Sequence, residues 1–521
     1  MSSVTTAPGL IPTPTLTPPQ QAEEENPSFG VYVFTSRAHH QYLWLALVLS
    51  ITQFVAFKLC YPYPDFISDS YNYIESAQYH LNVNLWPVAY AKFLALIHLI
   101  SPSDLLLVVV QYVLLQSALL YFFFSVKYLY RPSEVVSRFL FFAILCNPLF
   151  IYLSNAVLSD SLFAAISTVW LTILLWQLRS PNRIGLLIQV LLLSLAFMLR
   201  YAALYYPLVA ALALFLMRLR PQEKLAWVLA PALLIVPYIQ FTKAETKKYT
   251  GTAQFSVFGG WQVANNALYM YGNIQVSPAE LPAEMRPLDT MMKRYYQNAP
   301  PRYFDFENFP GTFFIKHQES PLKQYRDLYY TKTHPDAWNF KAWGSVSPMY
   351  SRYGSWLIQR HPLAFARDYL WLNSKLYFIP FPEIFNIYNY GEDSVWEPAV
   401  AWFQWPSAHV HSISGTLPGI VFYIYPAIFG VLNLYFVGCL LWLGFTLKYK
   451  ILEPRFLLAL LFVACYQLLH FGFSVLATPV CIRHHIIPML VLFTFCILLF
   501  EFTDKSRLII KADPSAKPQH A

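Results

Sequence analysis

The chain has 521 residues, 56% of them hydrophobic and only 12% charged, about half the charge of an average soluble protein. Its many apolar stretches of about 20 residues cannot be placed in water-facing domains, which excludes an ordinary soluble fold and points to a multi-span membrane protein. The net charge of +8 is not gathered into a patch or stripe, which argues against a nucleic-acid partner.

Residues 1–29 are rich in Pro and Thr and then acidic, from Glu23 to Glu25. They lack the apolar core of a cleavable signal and read as a disordered cytoplasmic tail. Apolar runs of spanning length or near it follow at about 42–60, 104–125, 138–154, 158–177, 184–200, 202–217, 225–241, 417–446, 455–477 and 485–501. The expected fold is therefore an all-α polytopic bundle of about ten transmembrane helices. Residues 85–100, LWPVAYAKFLALIHLI, carry Lys92 and His98 and suit an interfacial or re-entrant helix better than a span.

Basic residues fall in alternate loops. Arg37 precedes the first span, Lys127, Arg131 and Arg138 follow the second, and Arg179 and Arg183 follow the fourth. Arg218, Arg220 and Lys224 follow the sixth, Lys448, Lys450 and Arg455 the eighth, and Lys505, Arg507 and Lys511 the last. With about ten alternating spans all these loops share one side, so the positive-inside rule puts both termini in the cytoplasm. The chain then divides into a transmembrane module over 30–241 with a first outer loop at 61–103, an outer segment at 242–416, transmembrane helices over 417–501, and a cytoplasmic tail at 502–521.

The outer segment is polar, aromatic-rich and free of cysteine, so it is expected to fold against the membrane face as mixed helical and irregular structure. Within it, 354–378 has helical periodicity, with His361-Pro362 as a helix start or a kink. The six cysteines (Cys60, Cys146, Cys439, Cys465, Cys481, Cys496) lie in or beside apolar runs without metal-ligand spacing and read as small apolar core residues.

Four places on the outer side hold ionisable groups beside apolar runs: Asp65 and Asp69 in YPYPDFISDSYNYIESAQYH (61–80), Asp160, Arg200, and Arg483-His484-His485. Such groups are costly near hydrocarbon and usually face a bundle interior or a wet cavity. Taken singly, each also fits a helix cap or a snorkelling side chain, and Asp160 reads equally as the cap of its helix. Together they suit an anionic lipid substrate. Arg and protonated His can stabilise a phosphate leaving group, and a carboxylate can take the proton of an attacking hydroxyl. Asp69 is the preferred base and Asp65 its rival. Tyr71, Tyr73 and, in GGWQVANNALYMYGN (259–273), Trp261 and Asn265 are candidates for sugar or acceptor contacts; a Gly-led turn before an ordinary amphipathic helix is the other reading of 259–273. Asp69 and Asp160 could hold a divalent cation, but two carboxylates make an incomplete site, so no cofactor is assigned.

SDSYNYIESA followed by the proline-led LWPVAYAKFLALIHLI resembles the GT-C superfamily of glycosyltransferases, nearest to bacterial polyprenyl-phosphate-sugar transferases related to protein mannosyltransferases and the lipid A aminoarabinose transferase. CNPLFIYLSNAVLSDSLFAAI, a span ending in LRY, and Arg483 to Pro488 as R-x-x-x-x-P continue that order. The resemblance covers most of 40–240 and 455–501 and none of 242–416. It implies that Asp69 is the catalytic base, Asp160 a second acidic position and Arg200 a phosphate-binding one. In two respects the chain departs from relatives: Ser70 stands where many carry a second acid, and Asp160 where many carry Glu. The implied activity is inverting transfer of a sugar from a polyprenyl phosphate to an acceptor glycan, lipid or protein at the outer face of a bacterial inner membrane. Arg200, Arg483, His484 and His485 would hold the phosphate. No Asn-x-Ser/Thr sequon falls in 242–416, which leans away from a eukaryotic lumen. A polymerase or ligase using a diphosphate-linked donor, or a transporter of lipid-linked sugar, are the alternatives.

Overall fold

A computed structural model describes residues 28–298, 311–334, 338–477 and 479–512. Most of the two expected tails, 1–27 and 513–521, lies outside the described residues, as do the side chains of Lys505, Arg507 and Lys511. The chain forms two compact units, Met1–Leu45 and Ala46–Ala521. The first holds the short helix Phe29–Thr35 and the start of the helix Arg37–Cys60. Everything below concerns the second.

Among the described residues the fold is helical, with three isolated β-bridges as the only extended pairing. Each of the ten expected apolar runs falls on a helix. Eight of these helices are long and apolar enough to cross a membrane: this is a multi-pass membrane protein. The other two, Arg183–Leu199 and Tyr201–Leu216, are shorter. Arg200 separates them by adopting extended backbone (φ −149°, ψ 141°) at the end of the first. Ala89–Ile100 is a 12-residue helix, about 18 Å long and too short to span.

Boundaries moved where proline intervenes. Glu134–Asn155 breaks at Cys146, and Asn147 caps the new start by accepting the Leu149 N–H at 3.0 Å, with Pro148 in the first turn. The expected span 225–241 continues as helix to Thr250, where Gly251 closes it at φ 75°. The outer segment therefore begins about nine residues later than hydropathy suggested. The predicted break at His361-Pro362 is present, with Asn339–Arg360 ending there and a new helical stretch starting at Pro362.

Burial separates central from peripheral helices. Asp160–Arg179 packs 78% of its apolar window inside the protein, whereas Leu417–Phe445 packs 22% and turns the rest outward, as a lipid-facing helix does. The outer segment has its own core, built on Val257–Leu268 against Asn339–Arg360. The two helices approach closely because Gly260 and Gly354 lack side chains: a Cβ on Gly260 would stand 2.0 Å from the Ser347 carbonyl oxygen, and one on Gly354 2.6 Å from that of Val263. Of the cysteines, Cys481 and Cys496 are buried as expected, but Cys146 is exposed and the other three are half-buried.

Candidate active site

Two single β-bridges assemble the site. Asp65 pairs with Ala156: the Asp65 N–H donates to the Asn155 carbonyl at 3.0 Å, and the Val157 N–H to the Asp65 carbonyl at 3.1 Å. Asp69 lies four residues beyond one partner and Asp160 four beyond the other, each in the first turn of its helix. Phe381 pairs with Cys481, the Ile482 N–H donating to the Phe381 carbonyl at 2.9 Å. That brings Glu383 opposite Arg483. Glu383 has a φ of 52°, a left-handed conformation costly for a residue with a side chain and held here by its surroundings.

Arg483 is shared by three carboxylates. Its Nε lies 2.7 Å from Glu383 Oε2, and its Nη1 lies 3.3 Å from Asp69 Oδ2 and 3.9 Å from Asp160 Oδ2. Its Nη2 also donates to Asp69, at 3.4 Å. Asp160 is paired in addition with Arg200, whose guanidinium lies 5.8 Å from the Phe163 ring centroid. Glu383 is paired with Lys316 at 2.9 Å. Three carboxylates thus face three cations, and the cluster is close to neutral.

Accessibility distinguishes the acids. The Asp160 side chain is 2% exposed, that of Glu383 13% and that of Asp69 18%, so Asp69 is the most open of the three and Asp160 is closed to an incoming group. Burial raises the Asp69 carboxyl above the usual range despite the opposing pull of Arg483. Burial also works against ionised Glu383, but Arg483 and Lys316 overcome it and hold that carboxyl well below the usual range. Neighbouring acids therefore differ: Glu383 is held as an anion, and Asp69 binds a proton more readily than a free carboxylate does.

Beside the cluster is a cavity of about 30 Å³, lined by Asp160, Arg483 and His484 on its polar side and by Phe163, Tyr205 and Tyr206 among its apolar groups. His484 belongs here, with its Nδ1 3.0 Å from the Pro479 carbonyl oxygen. His485 does not. It is fully buried, its Nδ1 2.8 Å from the Cys481 carbonyl oxygen and its ring against Tyr377, Phe429 and His470, turned into the helical core.

Other expected site residues serve the scaffold. Asp65 accepts the Asn389 N–H at 2.8 Å and, buried, holds the loop around the left-handed residues Asn389 and Tyr390 rather than meeting Arg483. Asp160 begins its helix and makes no side-chain cap; its carboxylate is committed to the arginines. Tyr71 stacks on Trp396 at 4.4 Å and accepts that residue's backbone N–H. Tyr73 is buried and hydrogen-bonded to Ser159 at 2.9 Å, beneath Asp160.

Trp261 is fully buried, stacked on Trp343 at 4.1 Å with its Nε1–H on the Trp343 carbonyl, so it has no face for a sugar. Asn265 is also buried. It donates to the Gly311 carbonyl at 2.8 Å and accepts the Phe314 N–H at 3.1 Å, fixing the segment that carries Lys316.

Glu383 and Lys316 went unnoticed in the sequence. The available signal was an acid between proline and aromatic residues, FPEIF, just after the helical periodicity of 354–378. Among the described residues no three His, Cys, Asp or Glu side chains are arranged as metal ligands. No protein-family model matches the chain, and neither does any curated protein or solved structure.

Proposed function

We propose that this protein is an inverting glycosyltransferase of the GT-C type, moving a sugar from a polyprenyl phosphate to an acceptor hydroxyl or amine at the outer face of a bacterial inner membrane. The observation that carries this reading is the sharing of the Arg483 guanidinium among Asp69, Asp160 and Glu383, with Arg200 on Asp160. Charges from distant segments meet at one end of a membrane bundle, where a lipid phosphate and its sugar would lie.

The chemistry follows from charge balance. A donor phosphate adds negative charge to a cluster that is already matched, so it takes over cation donors rather than filling empty ones. The Arg483–Asp69 contacts, at 3.3 and 3.4 Å, are the most readily exchanged. Exchange does two things together. Arg483 and Arg200 come to hold the phosphate, and Asp69 loses the cation that opposes its protonation. The acceptor oxygen or nitrogen then attacks the anomeric carbon, its proton passes to Asp69, and the bond from that carbon to the phosphate oxygen breaks. Polyprenyl phosphate leaves with the bonding pair, its charge met by the guanidiniums. One displacement inverts the carbon.

Asp69→Asn tests the assignment directly. In proteoliposomes supplied with polyprenyl-phosphate sugar, transfer should fall by about 10²–10⁴-fold while thermal unfolding stays near that of the unaltered protein. Full activity in the variant sinks the reading. Mass spectrometry of envelope glycans with and without the gene names the product, and competition between monophosphate and diphosphate donors separates a polymerase or ligase. Movement of intact donor across the membrane without its consumption would establish transport instead.

A further inference from the structure

The Asp160–Arg179 helix has 20 residues, so its ends stand about 30 Å apart. Asp160 lies in the ion cluster; Arg179 lies on a second cavity, of about 360 Å³, together with Arg218, Arg455 and Tyr130. The arginines reach it from three places: the end of Asp160–Arg179, the turn after Tyr201–Leu216, and the first turn of Pro454–Ala477. Among the described residues no carboxylate lines this cavity. Glu134 is paired with Lys127 at 2.7 Å and Glu223 with Arg183 at 3.9 Å, and Glu453, next to Pro454 in the chain, is not part of the lining.

Three guanidiniums around one hollow repel each other, and Arg455 in a helix's first turn also opposes the helix dipole. Arg179 is nonetheless held in place, donating to the Leu129 carbonyl at 3.2 Å and lying 5.8 Å from the Tyr128 ring centroid. An arrangement of this kind is relieved by an anion. The rest of the lining decides which sort: Leu175, Leu178 and Leu458 present hydrocarbon beside the arginines. A free phosphate would need only the cations. A volume near 360 Å³ is at the small end of ligand sites, room for a headgroup rather than a whole lipid.

We propose that this cavity binds an anionic phospholipid, with the phosphate on Arg179, Arg218 and Arg455 and the glycerol and first acyl carbons on the leucines. The site is separate from the ion cluster, and the proposal does not depend on the transferase reading.

The test uses the purified full chain in detergent, titrated with dioleoyl phosphatidylglycerol or dioleoyl phosphatidylcholine, with thermal unfolding and native mass spectrometry as readouts. Phosphatidylglycerol should raise the unfolding temperature and remain bound, and phosphatidylcholine should do neither. The double variant Arg218→Gln/Arg455→Gln should bind phosphatidylglycerol roughly thirtyfold more weakly, each arginine near the headgroup counting for about a factor of five. The control Lys448→Gln/Lys450→Gln removes equal charge outside the cavity and should bind as the unaltered protein does. Equal loss in the control, or an undiminished response in the double variant, overturns the proposal. So does a response to phosphatidylcholine, or full stabilisation by inorganic phosphate or glycerol 3-phosphate alone, which would mark a site for soluble phosphate. If the double variant does not fold, Arg455→Gln alone is read by the same criteria, with a loss of about fivefold expected.

Discussion

At the Asp160 end of the Asp160–Arg179 helix three carboxylates face three cations, whereas at the Arg179 end three arginines line a hollow that holds no carboxylate among the described residues. The matched end joins segments as far apart as 69 and 483, and ordering them is part of its work. Any ligand there must exchange with a partner already bound. The unmatched end joins less and attracts more. Charge count alone would rank the second place as the stronger anion site, yet only the first offers a carboxylate to receive a proton.

The largest effect should come from breaking the matched end. Arg483→Gln takes the guanidinium from Asp69, while Arg200 stays on Asp160 and Lys316 on Glu383, and should cost about 3–5 kcal/mol, the usual penalty for breaking a buried ion pair. Low yield and early unfolding in detergent would report it. Adding Glu383→Gln removes one of the carboxylates that Arg483 balances. The double variant should therefore be more stable than the sum of its parts by at least about 1 kcal/mol, measured as a double-mutant cycle. Strict additivity would mean that the two side chains do not communicate.

A smaller effect is expected at Asp65. Among the described residues no cation pairs with the Asp65 side chain, and burial pushes its carboxyl up to about 7 despite the Asn389 and Phe66 N–H groups. The folded protein holds that proton more tightly than the unfolded chain. The stabilisation is full below the ordinary value of 3.8 and is lost as pH rises through about 7. It amounts to at most about 4 kcal/mol. Asp65→Asn keeps an acceptor for the Asn389 N–H, so its unfolding temperature should fall less than that of the unaltered protein between pH 5 and pH 8. Unchanged pH dependence would deny Asp65 that role. Glu383 has the opposite sign. Its depressed carboxyl adds stability above its ordinary value of 4.5 that is lost as pH falls through the folded value.

The smallest effect is expected at the surface. Arg360 and Glu280 form an ion pair at 2.5 Å with both side chains more than half exposed. Arg360→Gln should change stability by no more than about 0.5 kcal/mol, and even that should vanish in high salt. A loss comparable to that of Arg483→Gln would erase the contrast between buried and exposed pairs.

Hydropathy determined the spans, because a backbone in hydrocarbon has to satisfy its own hydrogen bonds and a long apolar run does so as helix. The break at His361-Pro362 and the shortness of 89–100 were readable for similarly local reasons. The meeting of Asp69, Asp160, Arg200 and Arg483 was foreseen from sidedness, since all four stand at helix ends on one expected face.

Tertiary structure decided the rest. Adjacent residues on a helix point about 100° apart, so His484 lines the cavity while His485 enters the core, a choice set by what packs around the helix. Trp261 and Asn265 share one face, but Gly260 and Gly354 let a second helix close over it. Glu383 and Lys316 come to Arg483 through a bridge between residues 381 and 481 and a loop fixed by Asn265, contacts with no local sequence pattern. The membrane's demand on each segment is local and can be read one run at a time. The pairing of buried charges is settled by which segments meet, and that depends on the whole chain.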